Sequence, residues 1–419
     1  MRRAACILAF LALALAQPLL AGEVVEKYDS GKLKLKYATD AEGRKNGDYH
    51  EYYESGKLKV AAAYKADKLH GLYTSYYESG IVRLKILYTD GQKNGGYVEQ
   101  DEKGRLLKEQ VFWNDLLLYP KSARLIKYHL EVIAKSGGAA AANDKAAPAA
   151  DKTAPPSALA ERQNVEALRR LNSYRYLADV PWDVALKAEY GDYAQAAAEI
   201  CSRIGRLDHH PPNPGMPQED YKKALYGTTH ANLYEGRSTR TAVDGFMNDS
   251  NEENLPFVGH RRWCLNPAMA QAGFGESGRF AAMFAHDQSR RDVPDYDFVA
   301  WPARGYVPAG YFGARQAWSV SLNPAKFLPP TKADVKANVY PLAPGAPGAP
   351  ADPRSRGQPL ELNFFNVDAT PYGIANCIIF RPAGAAASAG QRYWVEITGL
   401  RKADRSPATV EYLVEFISQ

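Results

Sequence analysis

Five of the eight histidines in this 419-residue chain fall between His209 and His286. Imidazole titrates near neutral pH and ligates metals through a bare ring nitrogen, so such crowding asks for a chemical explanation. His209-His210-Pro211-Pro212 forms a proline-bounded loop, and His260 stands in Val258-Gly259-His260-Arg261-Arg262-Trp263, followed by Asn266-Pro267. Two imidazoles with Asp249, Glu252 and Glu253 nearby supply the donor types of a zinc-like site. The intervals are long, and no His-Glu-x-x-His pair places two ligands on one helix face. On spacing alone these histidines read as hydrogen-bonded structural groups. No Gly-x-Ser-x-Gly elbow is present. Gly273-Phe274-Gly275-Glu276-Ser277-Gly278 fits the dinucleotide pattern but precedes a strand instead of opening a helix, which argues against NAD. Cys264, beside Trp263 in an apolar stretch, reads as a buried small residue and not a nucleophile.

The elements that must position these residues are long helices and short strands between Asn164 and about Ser321. Val165, Leu168, Leu171 and Tyr174 mark one helix face, and Leu186, Tyr190, Tyr193, Ala197, Ile200 and Ile204 a second. Trp182 after Pro181 is expected to anchor a helical N-terminal turn. Ala272 to His286 alternates around glycines and predicts strands.

Several of these segments together resemble the CAP superfamily of SCP-like secreted proteins. The first helix and turn resemble Leu171-Asn172-Ser173-Tyr174-Arg175 and Pro181-Trp182-Asp183, the histidine loop Leu207-Asp208-His209, and the Gly-Glu-Asn-Leu motif Ala231-Asn232-Leu233. Ala242 to Met247 with Asp249 resembles the helix bearing an acid, and Gly259-His260-Arg261-Arg262 with Gly273-Phe274-Gly275 the signature histidine motif. The resemblance implies an α-β-α sandwich with a shallow cleft holding two histidines and two acids, sometimes with a divalent metal such as Zn. His209 and His260 match the histidines and Asp249 one acid. Ala231 stands where the other acid belongs, with His230 beside it as a possible fourth ligand. One carboxylate fewer weakens both a metal site and a general base, since a cation loses a charged ligand.

Upstream, Tyr28-Asp29-Ser30-Gly31-Lys32 returns at Tyr53 and Tyr77 and decays at Asp101, with glycines recurring every 24 or 25 residues. Asn46-Gly47, His70-Gly71 and Asn94-Gly95 supply a second turn signal per repeat, so each repeat reads as a β-hairpin stacked on the next. His70 is expected to be a turn residue, not a ligand. The pattern resembles bacterial MORN-type repeats and implies a scaffold or partner-binding surface. Lys57, Lys59, Lys65 and Lys68 read as a solvated face because acids are interleaved. Ser122 to Lys135 has helical spacing and is expected to cap the sheet, and Ser136 to Ala158 is an Ala/Pro/Gly-rich mobile linker. At the other end, alternating runs at Val335–Tyr340, Leu360–Phe365, Asn376–Phe380, Tyr393–Ile397 and Val410–Ile417 predict a small β-sandwich, entered through a Pro/Gly-rich exit between Trp301 and Ser321.

The fold class expected is α+β multidomain: signal peptide 1–21, hairpin repeats 22–119, helix and linker 120–160, CAP-like domain 161–325 and β-sandwich tail 326–419. Arg2-Arg3 followed by the apolar Cys6–Leu15 and small residues has the form of a secretory signal, and no cysteine follows to carry a lipid. The protein is thus expected to be secreted or periplasmic. Cys201, Cys264 and Cys377 remain after cleavage. Either Cys201 pairs with Cys264, closing a loop worth about 4 kcal/mol, or all three are buried thiols. A net charge of +5, from 52 basic and 47 acidic residues, is too small and too spread for nucleic acid. Beyond the first twenty residues no apolar run approaches the roughly 20 residues of a bilayer span. The function expected is a non-catalytic cleft recognising a lipid, glycan or envelope protein, with a metal-assisted hydrolase using His209, His260 and Asp249 as the alternative.

Overall fold

The repeated Tyr-x-Ser-Gly segments close turns, because Gly31, Gly56 and Gly80 hold φ of 80°, 86° and 93°, a region that costs glycine nothing. They join the strands β1 (Gly22–Lys27), β2 (Leu33–Thr39), β3 (Lys45–Tyr52), β4 (Leu58–Lys65) and β5 (Lys68–Leu69) to β6 (Gly71–Tyr76) and β7 (Val82–Thr89). After β8 (Gln92–Gln100) and β9 (Leu106–Trp113), the chain leaves through β10 (Leu116–Tyr119). The strands run antiparallel in the order β1-β2-β3-β4-β6-β7-β8-β9, with β5 against β4. Each motif tyrosine reaches the following repeat: the hydroxyls of Tyr28, Tyr53 and Tyr77 donate to the carbonyls of Tyr52, Tyr76 and Gln100 at 2.7, 2.7 and 2.9 Å.

The second turn signal lies elsewhere than the sequence predicts. Ala66-Asp67, Asp90-Gly91 and Asn114-Asp115 make the tight turns, both residues of each at positive φ, as a two-residue hairpin loop requires. Gly47 and Gly95 sit inside strands, where the register shifts. A Cβ at Gly95 would meet Leu87 at 2.7 Å. Positive φ therefore serves irregular pairing here, not chain reversal. His70, expected in a turn, lies between β5 and β6 instead, its backbone N–H donating to the Ala63 carbonyl at 2.9 Å and its Nδ1 3.1 Å from Asp90 Oδ1.

This computed structural model describes residues 22–136, 156–236, 238–343 and 356–418. The expected signal peptide and nearly all of the expected linker lie outside the described residues. The chain divides into two units, up to Leu116 and from Leu117. The second holds α1 (Ala123–Lys135), α2 (Pro156–Leu177), β11 (Ala185–Leu186), α3 (Ala188–Ile204) and α4 (Gln218–His230). These are followed by β12 (Ala231–Glu235), α5 (Thr239–Asn248), α6 (Gly259–Cys264), β13 (Gln271–Ser277) and β14 (Phe280–Phe284). The helix expected over Ser122 to Lys135 forms as α1, with the Ser122 hydroxyl accepting from Leu125 N as its N-cap. The helix packs on α2: Tyr176 Oη donates to the Leu125 carbonyl at 3.3 Å, and Ile126 and Ile133 join that core. Trp182 follows the end of α2 and opens no helix; its ring lies 5.5 Å from Tyr176.

The central sheet runs β11-β13-β14-β12. Strand alternation sorts its side chains between helices. Phe280, Ala282 and Phe284 join Ala194, Ala197 and Cys201 of α3, whereas Ala281 and Met283 join Leu168 and Leu171 of α2 with Val243 and Phe246 of α5. Each large apolar side chain so enclosed contributes about 2 kcal/mol. The Gly-x-Gly of β13 is a packing device, since a Cβ at Gly273 or Gly275 would lie 2.1 or 2.3 Å from the backbone of α3.

Two further four-stranded sheets complete the second unit. One is β15 (Phe298–Trp301), β17 (Trp318–Leu322), β20 (Cys377–Pro382) and β19 (Leu362–Asp368); the other is β16 (Gly305–Pro308), β22 (Pro407–Ile417), β21 (Arg392–Arg401) and β18 (Lys336–Leu342). The boundary expected near residue 325 is therefore misplaced: the Trp301–Ser321 stretch already supplies strands to these sheets, and Trp301, Trp318 and Val320 share one core with α2 and α5. Cys201, Cys264 and Cys377 are all buried and free, so of the two expected arrangements the three separate thiols are the one present.

Candidate functional site

α5 ends because Asp249 takes the left-handed conformation, φ 46°, which short polar residues tolerate better than most. Its carboxylate is buried, with the residue 3% exposed, and both oxygens are engaged. Oδ1 accepts from Nδ1 of His260 at 3.0 Å, and Oδ2 from the backbone N–H of Arg261 at 3.3 Å. A second strut holds the same loop. The buried Arg261 guanidinium donates to the carbonyls of Met247, Asn248 and Ala317 at 2.8, 2.7 and 2.7 Å, and to Ser319 Oγ at 3.0 Å. Burial lowers its pKa to about 10. Arg262 turns the other way, donating to the Ile374 carbonyl at 2.7 Å and pairing with Asp368. In Gly-His-Arg-Arg, then, one side chain faces the cleft and two tie α6 to the flanking sheets. Asn232 adds a bond from its amide to the His260 carbonyl, 3.1 Å.

His209 arrives from the loop after α3, which Gly205 terminates at φ 71°. Its Nδ1 donates to the Thr228 carbonyl at 2.6 Å, and the Thr228 hydroxyl donates back to the His209 carbonyl at 3.0 Å. The rings of His209 and His260 lie 6.5 Å apart. Residues 51 positions apart in sequence thus converge as the motif resemblance implies. His209 is exposed at the cleft rim, yet protein crowding its ring, foremost, and the neighbouring His260 lower its pKa. With Nδ1 of each ring engaged, Nε2 is the atom each has left for a ligand.

His230 goes elsewhere. It ends α4 stacked on Tyr226 at 4.1 Å, with Nδ1 at 2.9 Å from the Tyr226 carbonyl. From there an edge-on contact reaches His286 at 5.3 Å, and His286 stacks on Trp263 at 4.0 Å. Burial, then the neighbouring His230 and His209, push the His286 pKa down to about 4. His286 and Trp263 escaped the sequence reading, although the histidine crowding up to His286 was their signal. Ala231, in the place of the second acid, is buried at the start of β12. Glu252 and Glu253 are exposed.

A resident metal fits this arrangement poorly. The Asp249 side chain is wholly enclosed by protein, His230 belongs to another stack, and among the described residues no three His, Cys, Asp or Glu side chains are grouped to hold an ion. Beside His260 opens a cavity of about 320 Å³. Leu207, Leu233, Tyr234 and Phe246 give it apolar walls, and Asn248, Asn251 and Asn254 line it with amides. Orienting polar groups among apolar walls is the make-up of a recognition site.

Residues 168–278 match the model of the cysteine-rich secretory protein family, CAP. The solved structures similar to the chain include an extracellular protein containing an SCP domain from Bacillus anthracis str. Ames, at 12% identity and TM-score 0.24, covering 63% of this chain and 85% of that one. Another is a cysteine-rich secretory protein from Staphylococcus aureus subsp. aureus Mu50, at 10% identity and TM-score 0.20, covering 62% and 86%. No curated protein matches. Among the described residues no helix is long and apolar enough to cross a membrane.

Proposed function

We propose that the chain is an exported binding protein whose CAP-like cleft recognises a lipid, glycan or envelope protein without turning it over. The observation that carries this reading is the engagement of Asp249: both carboxylate oxygens hold protein donors, 3.0 Å from His260 Nδ1 and 3.3 Å from Arg261 N. The Asp249 side chain is wholly enclosed, so it fixes the imidazole from behind and does not itself meet a ligand or substrate. The hairpin strands, which resemble MORN repeats, act in this reading as a scaffold that brings the cleft to its partner. Hydrolysis is the competing reading, with the Asp249-buttressed His260 as general base through Nε2.

Incubating the full chain with a peptide library and recovering the peptides distinguishes the two. Recognition predicts intact peptides. Cleavage by the natural sequence that disappears in His209→Ala or His260→Ala contradicts it.

A further inference from the structure

α5 presents Thr241, Asp244, Gly245 and Asn248 on one stripe, at the i, i+3, i+4, i+7 spacing of a helix face, while Ala242, Val243, Phe246 and Met247 are buried behind them. Two cavities open along that stripe. The first is the 320 Å³ cavity at His260; the second, of about 570 Å³, lies between Asp244, Tyr311 and Gln316. Tyr234, Gly245 and Asn248 line both, so the cavities are two bays of one groove with Tyr234 between them. The Tyr234 ring packs directly on Gly245, where a Cβ would stand 2.3 Å from it, and forms the ridge between the bays. Both volumes fall in the roughly 300–1,000 Å³ range of small-molecule sites.

The groups facing the second bay define what fits. Asp244 Oδ1 accepts from Arg170 Nε and Tyr174 Oη, both at 2.6 Å, and Arg170 lies over the Tyr311 ring at 3.9 Å. The second carboxylate oxygen of Asp244 has no hydrogen bond among the described residues, and its side chain is 45% exposed. Gln316 Oε1 is buried with no partner among the described residues, which leaves an acceptor wanting a donor. Ion pairs along the groove join Arg170 with Asp244 and Glu235 with Arg279 at 3.2 Å, and the Asp249 carboxylate is enclosed, held by His260 and the backbone N–H of Arg261. An ionic ligand would find no free counter-charge. An acyl chain would strand the Asn248, Asn251 and Asn254 amides. A peptide would find a helical floor whose main chain is paired internally, with no ladder to extend.

We infer that the two bays together bind a neutral oligosaccharide, its hydroxyls meeting Gln316, Asp244 and the three asparagines and a ring face lying against Tyr234. This rests on the recognition reading above and narrows its ligand to one chemical class.

Titration calorimetry of the full chain with cellotetraose, chitotetraose and maltotetraose tests it. At least one tetrasaccharide is expected to bind. Gln316→Leu in the far bay and Asn254→Ala in the near bay should each weaken it roughly fivefold, the worth of one neutral hydrogen bond. Gln316→Leu removes a partnerless buried oxygen, so its melting temperature should not fall, which separates lost contact from lost fold. If none of the three sugars binds, the inference is overturned; if neutral lipid vesicles or peptides then bind and Asn254→Ala abolishes it, recognition stands with a different ligand. Binding indifferent to Gln316→Leu overturns the two-bay groove. A tetrasaccharide that binds with both sensitivities and is then cleaved upholds the ligand class but overturns recognition without turnover.

Discussion

Acidification should weaken this fold through His286, and the sign follows from which state takes up protons. In the folded chain His286 is pressed against Trp263 at 4.0 Å and faces His230 at 5.3 Å, with its pKa held down to about 4. The unfolded chain returns it to about 6.5. Above pH 6.5 both states are neutral and nothing changes. Between pH 6.5 and 4 the unfolded state binds the extra proton, so stability falls as the pH drops, by about 3 kcal/mol at the lower end if the whole gap is realised. The ring is only partly buried, which makes that an upper bound. Carboxylates and His209, whose pKa is also lowered, add their own slopes, so the quantity to measure is a difference. Urea unfolding of the natural chain and of His286→Phe, which keeps the stack without the titrating nitrogen, at pH 7, 5.5 and 4 provides it. The natural chain should lose between 1 and about 3 kcal/mol more than the variant from pH 7 to 4. Parallel pH profiles would refute the reasoning.

Three other outcomes follow from the same geometry. Arg261→Met strands four buried acceptors and should cost about 3 kcal/mol or more in urea unfolding; Arg261→Lys should not restore it, because an ammonium lacks the planar fork, and a loss under 1 kcal/mol would contradict the strut. Gly275→Ala drives a methyl to 2.3 Å from Gln195 N and should cost about 2–3 kcal/mol as α3 is pushed off the sheet, read as a drop in melting temperature; an unchanged melting temperature would show the approach to be slack. Burial raises the thiol pKa values of Cys201, Cys264 and Cys377, so alkylation of residues 22–419 should spare all three when folded and modify all three in denaturant, whereas a disulfide would leave only one to react.

The convergence of His209, His260 and Asp249 was legible because motif order fixes which loops meet, whatever their separation in sequence. The fate of Asp249 was not, since an acid in the right place can coordinate or buttress, and only the folded chain shows its side chain wholly enclosed behind His260. The hairpin turns were half legible. Ser-Gly marks reversals, but Asn-Gly at 46–47 and 94–95 supplies positive φ to irregular pairing inside strands. The stretch from Trp301 to Ser321 misled for a related reason: its prolines and glycines border short strands whose partners, such as β20 and β22, lie far along the chain. Likewise α1 was placed by its own periodicity, which cannot say that its apolar stripe meets α2. A cysteine count cannot tell a bridge from buried thiols.

The central claim, that Asp249 and Thr228 hold two imidazoles for recognition and leave no metal set, is tested most directly by nitrogen NMR of histidine-labelled full chain with zinc added in stoichiometric amounts. The account predicts His209 and His260 protonated at Nδ1 and bare at Nε2, with neither ring's signals moved by zinc. Coordinated shifts of both Nε2 signals at one equivalent, lost in Asp249→Asn, would contradict it.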